Sequence, residues 1–271
     1  MFAEVPPGED WNWLRALHGS YHKWTQSSLF SWFEKATKPN NDPPKAKHVR
    51  RIILASLRDT AASPLTIANH FINSMAWRAD PRIAAKALYI ILILLQYQER
   101  LDVSIATITN KVVAFYNDYI PSDKSLQLFS QAATRIGSII HSKLNFHDKY
   151  PEVHGNFALS NEKITEQPNF IADLTTHLTC TLYETVAVQS AVVNSDDFVV
   201  TVLWQSIVSE TISAYRLLKT IDNTAENQKL IKDTEDLIDS LPNFPYVSTT
   251  VIFPLSGENV TIPRERFPKK I

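Results

Sequence analysis

The apolar positions of this chain recur at helical spacing over most of its length. Three starts are marked by a capping side chain followed by proline, at Asp42-Pro43, Ser63-Pro64 and Asp80-Pro81. A side-chain oxygen there accepts from the free N–H groups of a first turn, and proline suits the first helical position. Val49, Ile52, Ile53 and Leu57 follow the first start, and Leu65, Ala68, Phe71, Ile72 and Met75 the second. Each series reads as the buried face of a helix, with Phe71 and Met75 in the core. The third start opens "PRIAAKALYIILILLQYQ", apolar nearly all round, which predicts a central helix wrapped by neighbours. Its strongest run, Leu88 to Leu95, has eight residues, far below the roughly 20 needed to span a bilayer.

The pattern continues through Ile105, Ile108, Val112, Phe115 and Tyr116 to a stop near Pro121, then through Leu126, Phe129, Ala133, Ile136, Ile140 and Leu144. "FHDKYPEVHGNF", Phe146 to Phe157, interrupts it with a proline and a glycine. Helices are then expected over about Ile164 to Asn194, Asp196 to Ile221 with Asp196-Asp197 as its cap, and Thr224 to Leu241. From Pro242 onward, prolines and β-branched residues predict an extended surface tail. Almost no strand-like alternation precedes Val247, so the chain reads as all-α. Starts about 20 residues apart suit antiparallel helices stacked as a solenoid. One continuous domain over residues 28–271 is expected after a leader of residues 1–27.

Composition narrows the chemistry. The chain has 271 residues, 44% of them hydrophobic, enough for a sizeable core. Five glycines against 15 prolines argue against a turn-rich β fold and a glycine-rich phosphate loop. Net charge is −1, so attraction to an anionic partner must come from a local patch, and a broad nucleic-acid surface is disfavoured. The single cysteine, Cys180, excludes an internal disulfide and a multi-cysteine metal site, favours a reducing compartment, and is expected in the core beside Leu178, Leu182 and Tyr183. No secretory segment opens the chain, so a soluble intracellular protein is expected. His141, His147 and His154 lie one or two turns apart, but a proline interrupts them and nothing completes a metal set. No nucleophile-elbow serine or acid–base pair stands out, so neither an enzyme nor a cofactor is expected.

One segment is dense in charge. Lys35, Lys38, Lys45, Lys47, Arg50 and Arg51 fall within 17 residues and are joined by His48, with only Glu34 and Asp42 opposing them. If Asp42 caps and Pro43 is the first helical residue, then Lys45, Lys47 and His48 lie in the first two turns. Cations are disfavoured at a helix amino end, so this start breaks a local rule. Its free N–H groups together with ammonium groups form an anion site, and phosphate is the natural occupant. From charge alone, a solvated lysine face is the plainer reading.

The spacing resembles a known signature. Lys35, nine residues, then Lys45, Ala46, Lys47 and His48, with Lys35 inside "KAT" and Pro44 just before the cluster, is similar to the phosphoinositide-binding motif of ANTH domains, the helical membrane-binding modules of endocytic clathrin adaptors. "SKLNFHDKYPEVHGNF", Ser142 to Phe157, resembles a segment of the huntingtin-interacting-protein branch of that family, and "TIPRERFP" loosely resembles its tail. The resemblance covers roughly Ser28 to Ile271 and implies a right-handed solenoid of about ten antiparallel helices. It implies that Lys35, Lys45, Lys47 and His48 hold the phosphates of phosphatidylinositol 4,5-bisphosphate, with Lys38, Arg50 and Arg51 as accessory cations. Ala46 departs from the pattern, since many relatives carry another lysine there. The implied setting is cytoplasmic and peripheral, at the plasma membrane or clathrin-coated pits. Implied partners are phosphatidylinositol bisphosphate membranes, clathrin-coat proteins or an ENTH-type adaptor, and SNARE cargo.

Two further expectations concern surfaces. Trp11, Trp13, Leu14, Leu17, Tyr21 and Trp24 in the leader suit a short amphipathic helix lying in a membrane interface. The rival account is a helical scaffold that binds a peptide or SNARE helix in a groove along Val199 to Leu218, with the basic patch incidental.

Overall fold

In the computed structural model, residues 26–195, 198–221 and 224–240 are described. They form ten α-helices and two short 3₁₀ turns: α1 Gln26–Ala36, α2 Ala46–Arg58, α3 Pro64–Ser74, α4 Ala76–Ala79, α5 Pro81–Gln96, α6 Ile105–Asp118, α7 Lys124–Lys149, α8 Phe170–Ser195, α9 Phe198–Ile221 and α10 Ala225–Ser240. No strand occurs among the described residues, only one isolated antiparallel bridge, Val153 with Leu159. The all-α expectation holds. The expected leader helix with Trp11, Trp13, Leu14 and Leu17, the Asp196-Asp197 cap and the tail from Pro242 lie outside the described residues.

Two of the three proline-marked starts form as read. Ser63 Oγ accepts from Thr66 N (3.2 Å) with Pro64 opening α3. Asp80 Oδ1 accepts from Arg82 N (2.8 Å) with Pro81 opening α5. The first does not: α2 begins at Ala46, with Lys45 as its N-cap, and Asp42 Oδ2 instead accepts from Asn40 Nδ2 (2.8 Å). The physical reason is the double proline. Pro44 pushes Pro43 out of the helical region, so no helix starts there.

Helix α5 is central, as its apolar character predicts. It is buried from Ala84 to Leu95 and packs on α7 and α9, with α3 covering part of it. Helix α7 also packs on α6 and α8, and α9 pairs with α8 and α10. Leu203 to Leu218 of α9 are buried or half-buried throughout. Little of the surface expected along Val199 to Leu218 is therefore open over that stretch. No helix among the described residues is long and apolar enough to cross a membrane.

Several boundaries and faces differ from expectation. Helix α7 runs on through Phe146 to Lys149, and the break comes at Tyr150, which Pro151 keeps out of the helix. Helix α8 starts at Phe170, not near Ile164, because Pro168 intervenes after a 3₁₀ turn at Glu162–Glu166. Met75 is 46% exposed: it ends α3 in the left-handed region (φ 56°), and Trp77 takes the core position instead, its Nε1 donating to Ile72 O (3.2 Å). Leu57 is 53% exposed because the buried stripe of α2 follows Val49, Ile52, Ile53 and Ser56, one position short of it. Cys180 is half-buried and Leu178 buried, but Tyr183 faces solvent.

The "FHDKYPEVHGNF" segment and the helix before it build a buried polar node. Lys143 and Glu210 are fully buried and bond at 2.6 Å, and Lys143 Nζ also donates to Gly155 O (2.5 Å). Glu210 further accepts from Gln96 Nε2 (3.0 Å) and from His177 Nε2 (3.1 Å). The node therefore ties α5, α7, α8 and α9 to the loop after α7. Gly155 is required there, because a Cβ would stand 1.8 Å from Leu95 O. Around it, Phe146, Tyr150, Phe157, Phe170 and His177 form a cluster of ring contacts.

The node makes the fold acid-sensitive. Burial pushes the imidazoles of His147 and His177 below their ordinary range, so both are neutral in the folded chain. His147 Nδ1 donates to Val153 O (2.9 Å), and with His177 Nε2 donating to Glu210, its Nδ1 is left to accept from Ser142 (2.9 Å). The unfolded chain takes up these protons around pH 6.5, so below that value it binds more protons than the fold and stability falls. Burial would push the Glu210 carboxyl up, but Lys143 and His177 overcome it and hold it at about 2. Its contribution is complete above its unfolded value and fades as pH falls toward 2. Unfolding free energies from urea titration should therefore drop between about pH 7.5 and pH 5.5, by roughly 1 kcal/mol per buried imidazole. A flat profile over that window would mean the histidines titrate alike in both states.

Candidate functional site

The basic segment folds into one corner, the turn between α1 and α2. Lys35 lies in the last turn of α1, where a cation suits the helix dipole. Ala36 and Thr37 are buried, and Thr37 ends the helix with its N (2.9 Å) and Oγ1 (3.0 Å) both donating to Phe33 O. The chain then turns through Lys38 to Asp42, packs Pro44 inward and enters α2.

The start of α2 carries no favourable electrostatics of its own. Lys45 at the N-cap is extended (φ −63°, ψ 114°) and makes no side-chain capping bond, and the first turn holds no acid. Lys47 and His48 follow in that turn, three positions earlier in the helix than a Pro43 start would give. Lys35, Lys45 and Lys47 are exposed, whereas His48 is largely covered and its Nδ1 has no hydrogen-bond partner among the described residues. Burial is the main cause holding the His48 imidazole below its ordinary range; Lys47, Arg51, Lys35 and Lys45 push the same way. Four cations thus converge on one ring, and the turn brings Lys35 back beside the residues ten positions on.

The accessory cations divide. Lys38 and Arg50 are exposed and are not among the main charges acting on His48. Arg51 does, and its guanidinium lies 5.7 Å from the ring centroid of Trp32 on α1. It is therefore both a neighbour of the patch and a contact to the adjacent helix.

What the sequence reading missed is the anchor beneath the turn. Lys86 of α5 is 1% exposed and donates from Nζ to Lys38 O (2.8 Å), Asn40 O (2.7 Å) and Asn40 Oδ1 (2.9 Å). Arg82, one turn earlier and paired with Asp80 (2.6 Å), donates to Asn41 Oδ1 (3.1 Å). The signal was available: a lone lysine inside "IAAKALYIILILL" must find partners if that helix is central. The three histidines weighed for metal make local bonds: His141 with Asn145 (3.0 Å), His147 with Val153 O and His154 with Ser160 (2.5 Å).

A solved structure with this architecture is the ENTH domain from epsin-2 in complex with phosphatidylinositol 4,5-bisphosphate. It superposes with a TM-score of 0.57 at 20% sequence identity, covering 81% of this chain and 90% of that one. The fold is thus ENTH-like, a helical fold close to the ANTH solenoid that the sequence resembles. No family model matches the chain, and neither does any curated protein.

Proposed function

We propose that this chain is a phosphoinositide-binding membrane-recruitment module of an endocytic adaptor, of the ANTH type and nearest the huntingtin-interacting-protein branch. Lys35, Lys45, Lys47 and His48 grip the bisphosphorylated inositol, Lys38 and Arg50 add nonspecific attraction, and no bond is made or broken. The observation that carries this reading is the uncapped, acid-free start of α2, where a lysine from the previous helix returns beside two lysines and a histidine. Such an end has backbone donors to offer and like charges to neutralise, and a multiply charged phosphate ligand meets both needs. The ENTH-like neighbour, solved with the same lipid, supports it by analogy. Each cation near an anionic surface contributes about 1 kcal/mol, so binding is weak and reversible, and a coat would add avidity. The setting is peripheral at the plasma membrane, and clathrin-coat proteins, an ENTH-type adaptor and SNARE cargo are the partners this reading implies. Trp11, Trp13, Leu14 and Leu17 of the leader are proposed to enter the membrane interface.

Co-sedimentation with vesicles carrying a few per cent phosphatidylinositol 4,5-bisphosphate tests it. Lys45→Gln/Lys47→Gln should bind roughly thirtyfold more weakly, two cations' worth, with an unchanged helical circular dichroism spectrum. Equal binding by variant and wild type would make these lysines ordinary surface. The helical protein-binding scaffold would then be the better account.

A further inference from the structure

The basic corner continues along the α1–α2 hairpin. On α2, Arg51 stands one turn beyond Lys47 and on the same face, about 6 Å further along the axis. On α1, Trp32 precedes Lys35 by three residues and shares its face. The contact between Arg51 and the Trp32 ring joins these two faces, so cations and an aromatic form one continuous surface across both helices. Arg51 is exposed, and no carboxylate among the described residues pairs with it, whereas Arg82 and Arg135 are held by Asp80 and Glu184. A guanidinium laid over an aromatic ring keeps its plane and its edge donors free, which suits two parallel bonds to a phosphate. Trp32 itself is half-buried against the core, so it is a fixed platform for the guanidinium.

We propose that Arg51, held over Trp32, is a second membrane contact. It takes the phosphate of an acidic lipid neighbouring the one that the lysines grip. This rests on the lipid-binding reading above and adds a direction to it: the hairpin face from Lys35 and Lys47 to Trp32 and Arg51 lies toward the bilayer. The commitment to a neighbouring lipid follows from position, because Arg51 is displaced a full helical turn from the uncapped N–H groups.

Two measurements separate the sources of phosphate. Calorimetry with soluble inositol 1,4,5-trisphosphate reads the head-group site alone. Sedimentation with vesicles of phosphatidylcholine, phosphatidylserine and phosphatidylinositol 4,5-bisphosphate reads both contacts. Arg51→Gln should bind these vesicles about fivefold more weakly, the worth of one cation at an anionic surface, and lose clearly less toward the soluble head group. Trp32→Leu should lose a comparable factor, and Arg51→Lys should regain only part of it, since an ammonium lacks the stacked plane. Unchanged vesicle binding by Arg51→Gln overturns the proposal. So does an equal loss toward the soluble head group, which would place Arg51 in the first site. Lys45→Gln/Lys47→Gln keeps the two claims apart. If it also binds as wild type, the lipid reading itself fails; if it loses binding while Arg51→Gln does not, only the second contact fails.

Discussion

Replacing Lys143 by methionine should lower the free energy of unfolding by about 3–5 kcal/mol. Lys143 and Glu210 are both fully buried, and their contact crosses from α7 to α9. Methionine would fill most of the space but leave Glu210 ionised with only Gln96 and His177 as donors. Gly155 O would lose its ammonium partner as well. The cost is that of an uncompensated buried charge, not the net worth of the pair. For that reason Lys143→Met/Glu210→Leu should recover much of the loss, because an apolar pair of similar volume also removes the desolvation penalty. Urea unfolding followed by circular dichroism at neutral pH would measure both. A single variant within about 1 kcal/mol of wild type would show that Glu210 finds another neutral or hydrated state.

Lys86→Met should cost about 3 kcal/mol and loosen the turn between α1 and α2. The lysine supplies three hydrogen bonds of 2.7–2.9 Å, two of them to backbone carbonyls of that turn. A charge-assisted bond contributes roughly 1.5–3 kcal/mol, and its loss leaves buried acceptors unsatisfied. The turn fixes where Lys35 sits relative to Lys45 and Lys47. On the lipid-binding reading, the variant should therefore lose affinity for phosphatidylinositol 4,5-bisphosphate vesicles by several-fold at a temperature where it remains folded. Plain phosphatidylserine vesicles, which need charge but not spacing, should be bound as before. Loss on both vesicles together would point to general unfolding, and loss on neither would mean that the turn holds its shape without Lys86.

Much of the fold was legible because its signals are local. Ser63-Pro64 and Asp80-Pro81 cap as local rules dictate, and the all-apolar α5 could only be central. Asp42-Pro43 looked the same but failed, because Pro44 changes what Pro43 can adopt, a restriction that acts one residue upstream. The grouping of Lys35 with Lys45, Lys47 and His48 was legible from spacing. The residues beneath it were not, since Lys86 reaches the turn across more than 40 positions. The "SKLNFHDKYPEVHGNF" segment resembles a family pattern, but the resemblance does not reveal what the segment does. Lys143, His147 and Gly155 serve a buried node whose other half, Glu210, stands 67 residues further on, beyond any local pattern.

The all-round burial of α5 has a consequence during synthesis. Its neighbour α7 begins at Lys124 and α9 only at Phe198, about a hundred residues after α5 ends at Gln96. At roughly 5–20 residues per second, the helix waits on the order of 5–20 seconds outside the ribosome before its last wall arrives. Through that interval its leucines and isoleucines are the most adhesive surface on the nascent chain, and a holding chaperone has a clear place to act.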